Sequence, residues 1–154
     1  MNMLNFYRFC GNEILNHFSQ LPSYWLNHGF GKPTNIAFGI SEGCCLRCKM
    51  CDRWREEKKI KIISLEEKKK VLILLKEWLG PFRLILGSRG EAFMEEEIFE
   101  LVKFASKIDI ITSVTSNGFL IDKTMAEKIV SSGLNHLVIS LDGIDEKTHD
   151  WVRG

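Results

Sequence analysis

The chain has 154 residues, 45% apolar and 27% charged, the profile of a globular domain long enough to bury a core. Its 21 basic and 20 acidic residues nearly cancel, so there is no electrostatic case for nucleic acid or a membrane surface as partner. No apolar run is long enough to span a bilayer, and no basic stretch followed by a continuous apolar one opens the chain; a cytoplasmic protein with reduced cysteines is expected.

Residues 1–34 form an expected N-terminal extension. In it "EILNHF" reads as a short helix and "LPSYWLNHGFGKP" as a loop, with aromatic residues covering one end of a sheet and Cys10 as a buried apolar thiol. From residue 35 onward four short, near-continuous apolar runs appear: Asn35–Ile40, Phe82–Gly87, Asp109–Val114 and His136–Leu141. Such runs predict strands buried on both faces of a parallel sheet. The charge run "REEKKIK" (Arg55–Lys61) is expected to be a solvated loop or helix start. Ser64 and Glu67 make a capping-box signature ahead of "LEEKKKVLILLKEWLG", with Val71, Leu74, Leu75 and Trp78 as its apolar stripe and Gly80-Pro81 as its stop. A second helix places Ile98, Leu101, Val102 and Ala105 on one face. A third starts at an Asp122 cap and ends at Gly133, and a fourth begins at Asp145. Strand and helix alternate, with crossovers long enough to join parallel strands.

In parallel α/β folds, function gathers at the C-terminal ends of the strands. Those ends read "SEGCCLRCKMC", "GSRGEAF", "TSNGF" and "SLDGI". Gly87, Gly90, Gly118 and Gly143 are singly ordinary turn residues, but together the four ends argue for one shared site. Four of the five cysteines fall between Cys44 and Cys51. Structural zinc wants two spaced ligand pairs, and neither a second cysteine pair nor clustered histidines exist; His17, His28, His136 and His149 are scattered. Cys45, Cys48 and Cys51 begin a ferredoxin-like run, which needs a fourth cysteine followed by proline that "DRWR" does not supply. Cys44, Cys48 and Cys51 form C-x3-C-x2-C, and three ligands on a four-iron cluster leave one iron open.

C-x3-C-x2-C after the first strand, then a Gly-Glu loop, "SNG" and "SLDG" after the next three, resembles the radical S-adenosylmethionine (radical SAM) superfamily. "HDWVRG" is similar to the segment after the fourth strand in the branch of peptide-modifying (SPASM-type), haem-pathway and molybdenum-cofactor enzymes. The resemblance covers residues 35–154 and implies a parallel-sheet partial (β/α) barrel, the first four of six units, with the core domain incomplete at its C-terminus. It implies a 4Fe-4S cluster on Cys44, Cys48 and Cys51, and S-adenosylmethionine as second cofactor, together generating a 5′-deoxyadenosyl radical that abstracts hydrogen from substrate. Cofactor-binding positions carry over to Met50 (adenine), Gly90 and Glu91 (amino group), Asn117, Ser140 and Asp142, with Arg153 as a further partner for the cofactor carboxylate. No protein residue is assigned a catalytic role. Implied partners are a small-molecule or peptide substrate and an electron donor such as a flavodoxin or ferredoxin.

This sequence departs from the family pattern at Arg89 and Ala92, where glycine and proline are usual, and at Cys45, where asparagine is frequent. Arg89 is expected to crowd the loop, and Cys45 to be a spectator thiol. The stop at "WVRG" is read as a truncated or split gene product needing a complementary C-terminal fragment. A non-catalytic iron–sulfur protein for electron transfer, and an inactive fragment of a radical SAM enzyme, are the alternative functions.

Overall fold

The computed structural model describes residues 3–55, 63–87 and 89–154. The expected charge run at 55–61 lies, apart from Arg55, outside the described residues, as does Ser88 of the second strand-end loop. The chain begins with helix α1 (Met3–Leu26), followed by β1 (Asn35–Phe38), a 3-10 turn at Arg53–Arg55, and α2 (Leu65–Leu79). Strand β2 (Arg83–Leu86), a 3-10 turn at Ala92–Met94, and α3 (Glu97–Lys107) come next. The chain then runs through β3 (Ile111–Ser116), α4 (Lys123–Ser131), β4 (His136–Ile139) and α5 (Glu146–Arg153). All strand pairs are parallel, in the order β1-β2-β3-β4. This is the α/β architecture expected, a sheet whose strands are joined by helical crossovers.

The register shows which face is covered. Ile36 aligns with Leu84 and Thr112, and Phe38 with Leu86 and Val114. Ile36, Phe38, Leu84, Leu86 and Val114 pack with Leu72 and Leu79 of α2, Ile98, Leu101, Val102 and Ala105 of α3, and Ile129 of α4 in one core. Burial on both faces, expected of all four runs, is found only in β3; β2 is buried on one face and half-buried on the other, and β1 and β4 are buried on neither. Every residue of β4 is exposed, and β1 alternates between exposed and half-buried. Each has only one strand neighbour among the described residues, and the helices contribute their core contacts to one face.

Three sequence expectations shift. The N-terminal segment is one 24-residue helix running through Pro22, not a short helix and a loop. The Ser23 hydroxyl, next to the proline, donates to the Ser19 carbonyl one turn earlier. Of its aromatic residues Phe9 is buried, under the Arg83 guanidinium, while Tyr7, Phe18, Tyr24 and Trp25 stay exposed; Cys10 is half-buried. In α2 the buried face is Lys68, Leu72 and Leu79 with Leu65 and Leu75 beside them, whereas Leu74 and Trp78 face out. Five successive apolar residues left the helical phase open, and the Lys68–Glu97 pair at 2.9 Å belongs to the phase adopted. Finally, β3 starts at Ile111 because Asp109 has φ 57°, left-handed and incompatible with a strand. The Ser64–Glu67 capping box and the Asp122 and Asp145 caps form as read.

Candidate functional site

The loop after β1 is built around two carbonyls. Ser41, buried, accepts from the Gly43 N–H at 3.2 Å and so fixes the turn into the cysteines. The Gly43 carbonyl then accepts the Glu91 N–H at 2.7 Å, joining this loop to the one after β2. Further along, the Cys48 carbonyl accepts from both Cys51 N–H and the Trp54 indole N–H. Helix α5 closes over the same loop through Lys49 N–H to the Val152 carbonyl at 2.9 Å, with the Lys49 ammonium 3.5 Å from the Trp151 ring centre.

Gly90 makes the first junction possible. It has φ 65°, and a Cβ there would collide with the Gly43 carbonyl. Next to it, Glu91 is 2% exposed and turns its carboxylate toward the loop after β3. One oxygen accepts from the Ser116 hydroxyl at 2.8 Å and the Phe93 N–H at 3.2 Å; the other accepts from the Asn117 N–H at 2.8 Å. Three strand-end loops thus meet at Glu91, the loop after β1 through its backbone N–H and the loops after β2 and β3 through its buried carboxylate. The fourth joins through Ser140 N–H to the Ser116 carbonyl.

These ties enclose a cleft of about 400 Å³. Cys44, Cys48 and Cys51 line it, and so do Met50, Gly90, Glu91, Asn117, Ser140 and Asp142. Every residue singled out from the sequence as a ligand or cofactor contact therefore lies in one place, while exposed Cys45 does not line the cleft. Arg53, Thr115, Ser116 and Arg153 line it as well. Thr115 and Ser116 could have been found as the last residues of β3; Arg53 carries no sequence signal. Arg153 lies in ion-pair contact with Asp142 through its Nε. Arg89 avoids the cleft: its side chain turns back over Gly39, whose missing Cβ makes room, and its Nε lies 3.5 Å from Glu42. Glu42 also meets Arg53 at 3.4 Å. A second cleft, about 500 Å³, shares Asn117, Ser140 and Arg153 with the first and adds the apolar walls of Leu46, Phe119, Ile139 and Leu141.

Burial pushes the Cys44 thiol above its ordinary pKa. The Leu46 N–H opposes this, and the neighbouring Cys45, Cys48 and Glu91 charges add to it. Bound metal reverses that balance, since a coordinated thiol is deprotonated. Among the described residues no three His, Cys, Asp or Glu side chains converge on a point that would hold one metal ion. A polynuclear cluster asks for something different, one thiolate for each of several irons. Three thiols spread around one cleft fit that demand, and the donor set lacks the fourth ligand of a closed zinc site.

The model of the radical SAM superfamily matches residues 39–154. Fe-coproporphyrin III synthase of Methanosarcina barkeri is 33% identical over 138 residues, covering 88% of this chain and 33% of that protein. PqqA peptide cyclase of Bradyrhizobium diazoefficiens is 31% identical over 126 residues, covering 81% and 33%. The chain thus spans about a third of the length of these relatives. Among solved structures, Streptococcus suis SuiB bound to S-adenosylmethionine superposes with a TM-score of 0.62 at 22% identity, over 79% of this chain and 26% of that one. At that identity the likeness speaks for the fold, a parallel sheet with its helices. With three-quarters of its length matched by the family model, the chain belongs to the radical SAM superfamily.

Proposed function

We propose that this chain, from residue 35 onward, is the cofactor-binding core of a radical SAM enzyme, with Cys44, Cys48 and Cys51 as thiolate ligands of a 4Fe-4S cluster. The observation that carries the proposal is the meeting of those three thiols with residues from all four strand ends in one cleft. When bound, the cluster and S-adenosylmethionine supply the one-electron cleavage that yields a 5′-deoxyadenosyl radical. The chain's own residues bind, orient and exclude water. Gly90 brings bare backbone to the cleft, and Met50 presents its backbone beside Cys51 for the adenine. Ser140 and Asp142 lie on the side of the ribose and methionine portions. Glu91, with its carboxylate spent on three donors of the protein, sets the shape of the amino-group pocket rather than contacting the ligand through its side chain. The second, more apolar cleft is where a substrate would reach the radical. Substrate is a small molecule or a peptide; SuiB, which shares the fold, is also solved bound to its precursor peptide SuiA. The electron comes from a donor such as a flavodoxin or ferredoxin.

Anaerobic reconstitution tests this. Iron and sulfide uptake with a broad visible absorption is expected in the parent and in Cys45→Ala, and is lost in Cys44→Ala, Cys48→Ala and Cys51→Ala. Adding S-adenosylmethionine to the reduced protein should change the cluster spectrum and release 5′-deoxyadenosine. A loaded cluster indifferent to S-adenosylmethionine would instead indicate electron transfer, and no uptake an inactive chain. Loss of the cluster in Cys45→Ala with retention in Cys44→Ala would select the ferredoxin-like frame.

A further inference from the structure

The side chain of Asn117 is oriented by the turn it closes. Its Oδ1 accepts the Phe119 N–H at 2.9 Å, a bond only the oxygen end of the amide can make. The donor end is therefore directed the other way, at the cysteines: Nδ2 lies 3.8 Å from Cys44 Sγ and 3.4 Å from Cys45 Sγ. The backbone beneath is held too, since the Asn117 N–H and the Ser116 hydroxyl both donate to buried Glu91. Three anchors thus present one N–H donor to the sulfur of a proposed iron ligand. Glu91 places a negative charge near Cys44, and Arg53 and Arg153 line the same cleft.

We propose, on the basis of the cluster reading above, that Asn117 is a positioning residue that raises the reduction potential of the cluster through an N–H···S hydrogen bond to Cys44. Hydrogen bonds to cluster sulfurs are among the features that set such potentials, alongside net charge and solvent exposure. An N–H dipole favours the more negative, reduced state, and it opposes the unfavourable field of Glu91. This role is separate from any contact of Asn117 with S-adenosylmethionine, because it operates before that cofactor binds.

The test is a potentiometric titration of the reconstituted 154-residue protein followed by electron paramagnetic resonance, without S-adenosylmethionine. Asn117→Ala removes the donor. Asn117→Asp keeps an oxygen for the Phe119 N–H and replaces the donor by a negative charge, so it remains informative if the alanine variant folds poorly. Both are expected to move the potential downward. For Asn117→Ala the expected change is about tenfold in the reduction equilibrium, or about 59 mV for a one-electron couple; for Asn117→Asp it is larger. An unchanged or raised potential in a loaded variant overturns the inference while leaving the cluster reading intact. The downward shift should persist in a Cys45→Ala background; its disappearance there would place the amide's effect on Cys45 and overturn the role at Cys44. A parent protein that takes up no cluster removes the underlying reading as well, a result distinct from the others.

Discussion

Replacing Glu91 tests whether one buried carboxylate holds the cleft together. The side chain is 2% exposed and accepts three hydrogen bonds, from Phe93 N–H, Ser116 Oγ–H and Asn117 N–H. In Glu91→Ala the Ser116 hydroxyl can rotate toward another acceptor, but the two backbone donors cannot. Each buried donor left unpaired costs about 1–3 kcal/mol. Two of them and the vacated side-chain volume, less the desolvation energy recovered with the charge, give a loss of about 3–5 kcal/mol. Glu91→Gln keeps the volume and one acceptor oxygen but turns an NH₂ toward one of the donors, a loss of about 1–3 kcal/mol. Urea unfolding of the cluster-free protein, followed by circular dichroism at neutral pH, measures both. The glutamine variant remains measurable if the alanine one is too unstable to purify. An alanine variant within about 1 kcal/mol of the parent would show that the carboxylate does not hold the cleft together.

Gly90→Ala should lower both stability and cluster loading. It places a Cβ against the Gly43 carbonyl and adds a left-handed penalty of about 1–2 kcal/mol, so a variant that folds and loads like the parent refutes the close approach. Arg89→Gly should leave S-adenosylmethionine affinity by calorimetry within about twofold and cost less than about 1 kcal/mol, because the partly exposed pair with Glu42 lies outside the cleft. About tenfold tighter binding would show instead that Arg89 obstructs the ligand. The β4 edge carries exposed Leu137, Val138 and Ile139 with no proline or charge to blunt it, so the purified chain should self-associate or bind a strand-supplying partner on size-exclusion chromatography. A stable monomer would contradict this.

What was legible in the sequence was whatever a short stretch determines by itself. The Ser64–Glu67 box and the Asp122 and Asp145 caps are local hydrogen-bond arrangements, and each formed where its residues stood. Parallel pairing followed from alternation and crossover length, and the strand ends gathered their cysteines, glycines and polar residues in one cleft because parallel strands present their C-terminal ends on one side. What was not legible depends on partners distant in the chain. In α2, "VLILL" fits more than one helical phase, and the packing against α3 and the sheet chose the one that buries Lys68. That lysine stands in a charged stretch and carries no apolar signal; its partner Glu97 is 29 residues away.

Arg89 shows how the same limit acts inside the site. As a residue type it reads as an obstruction, since a guanidinium replaces bare backbone in a loop meant to approach a ligand. The distant residues decide otherwise. Gly39, 50 positions earlier, has no side chain to block the arginine's path, and Glu42 supplies a carboxylate at the end of it. Gly90 and Glu91 meanwhile keep the backbone link to Gly43 that forms the cleft wall. The loop can therefore tolerate a bulky cation at one position because its neighbour retains the conformation only glycine takes up easily. The departure at Arg89 and the bare backbone at Gly90 are compatible within one loop, and the side chain that a sequence pattern would place in the cleft joins the cysteine loop to the glycine loop from outside it.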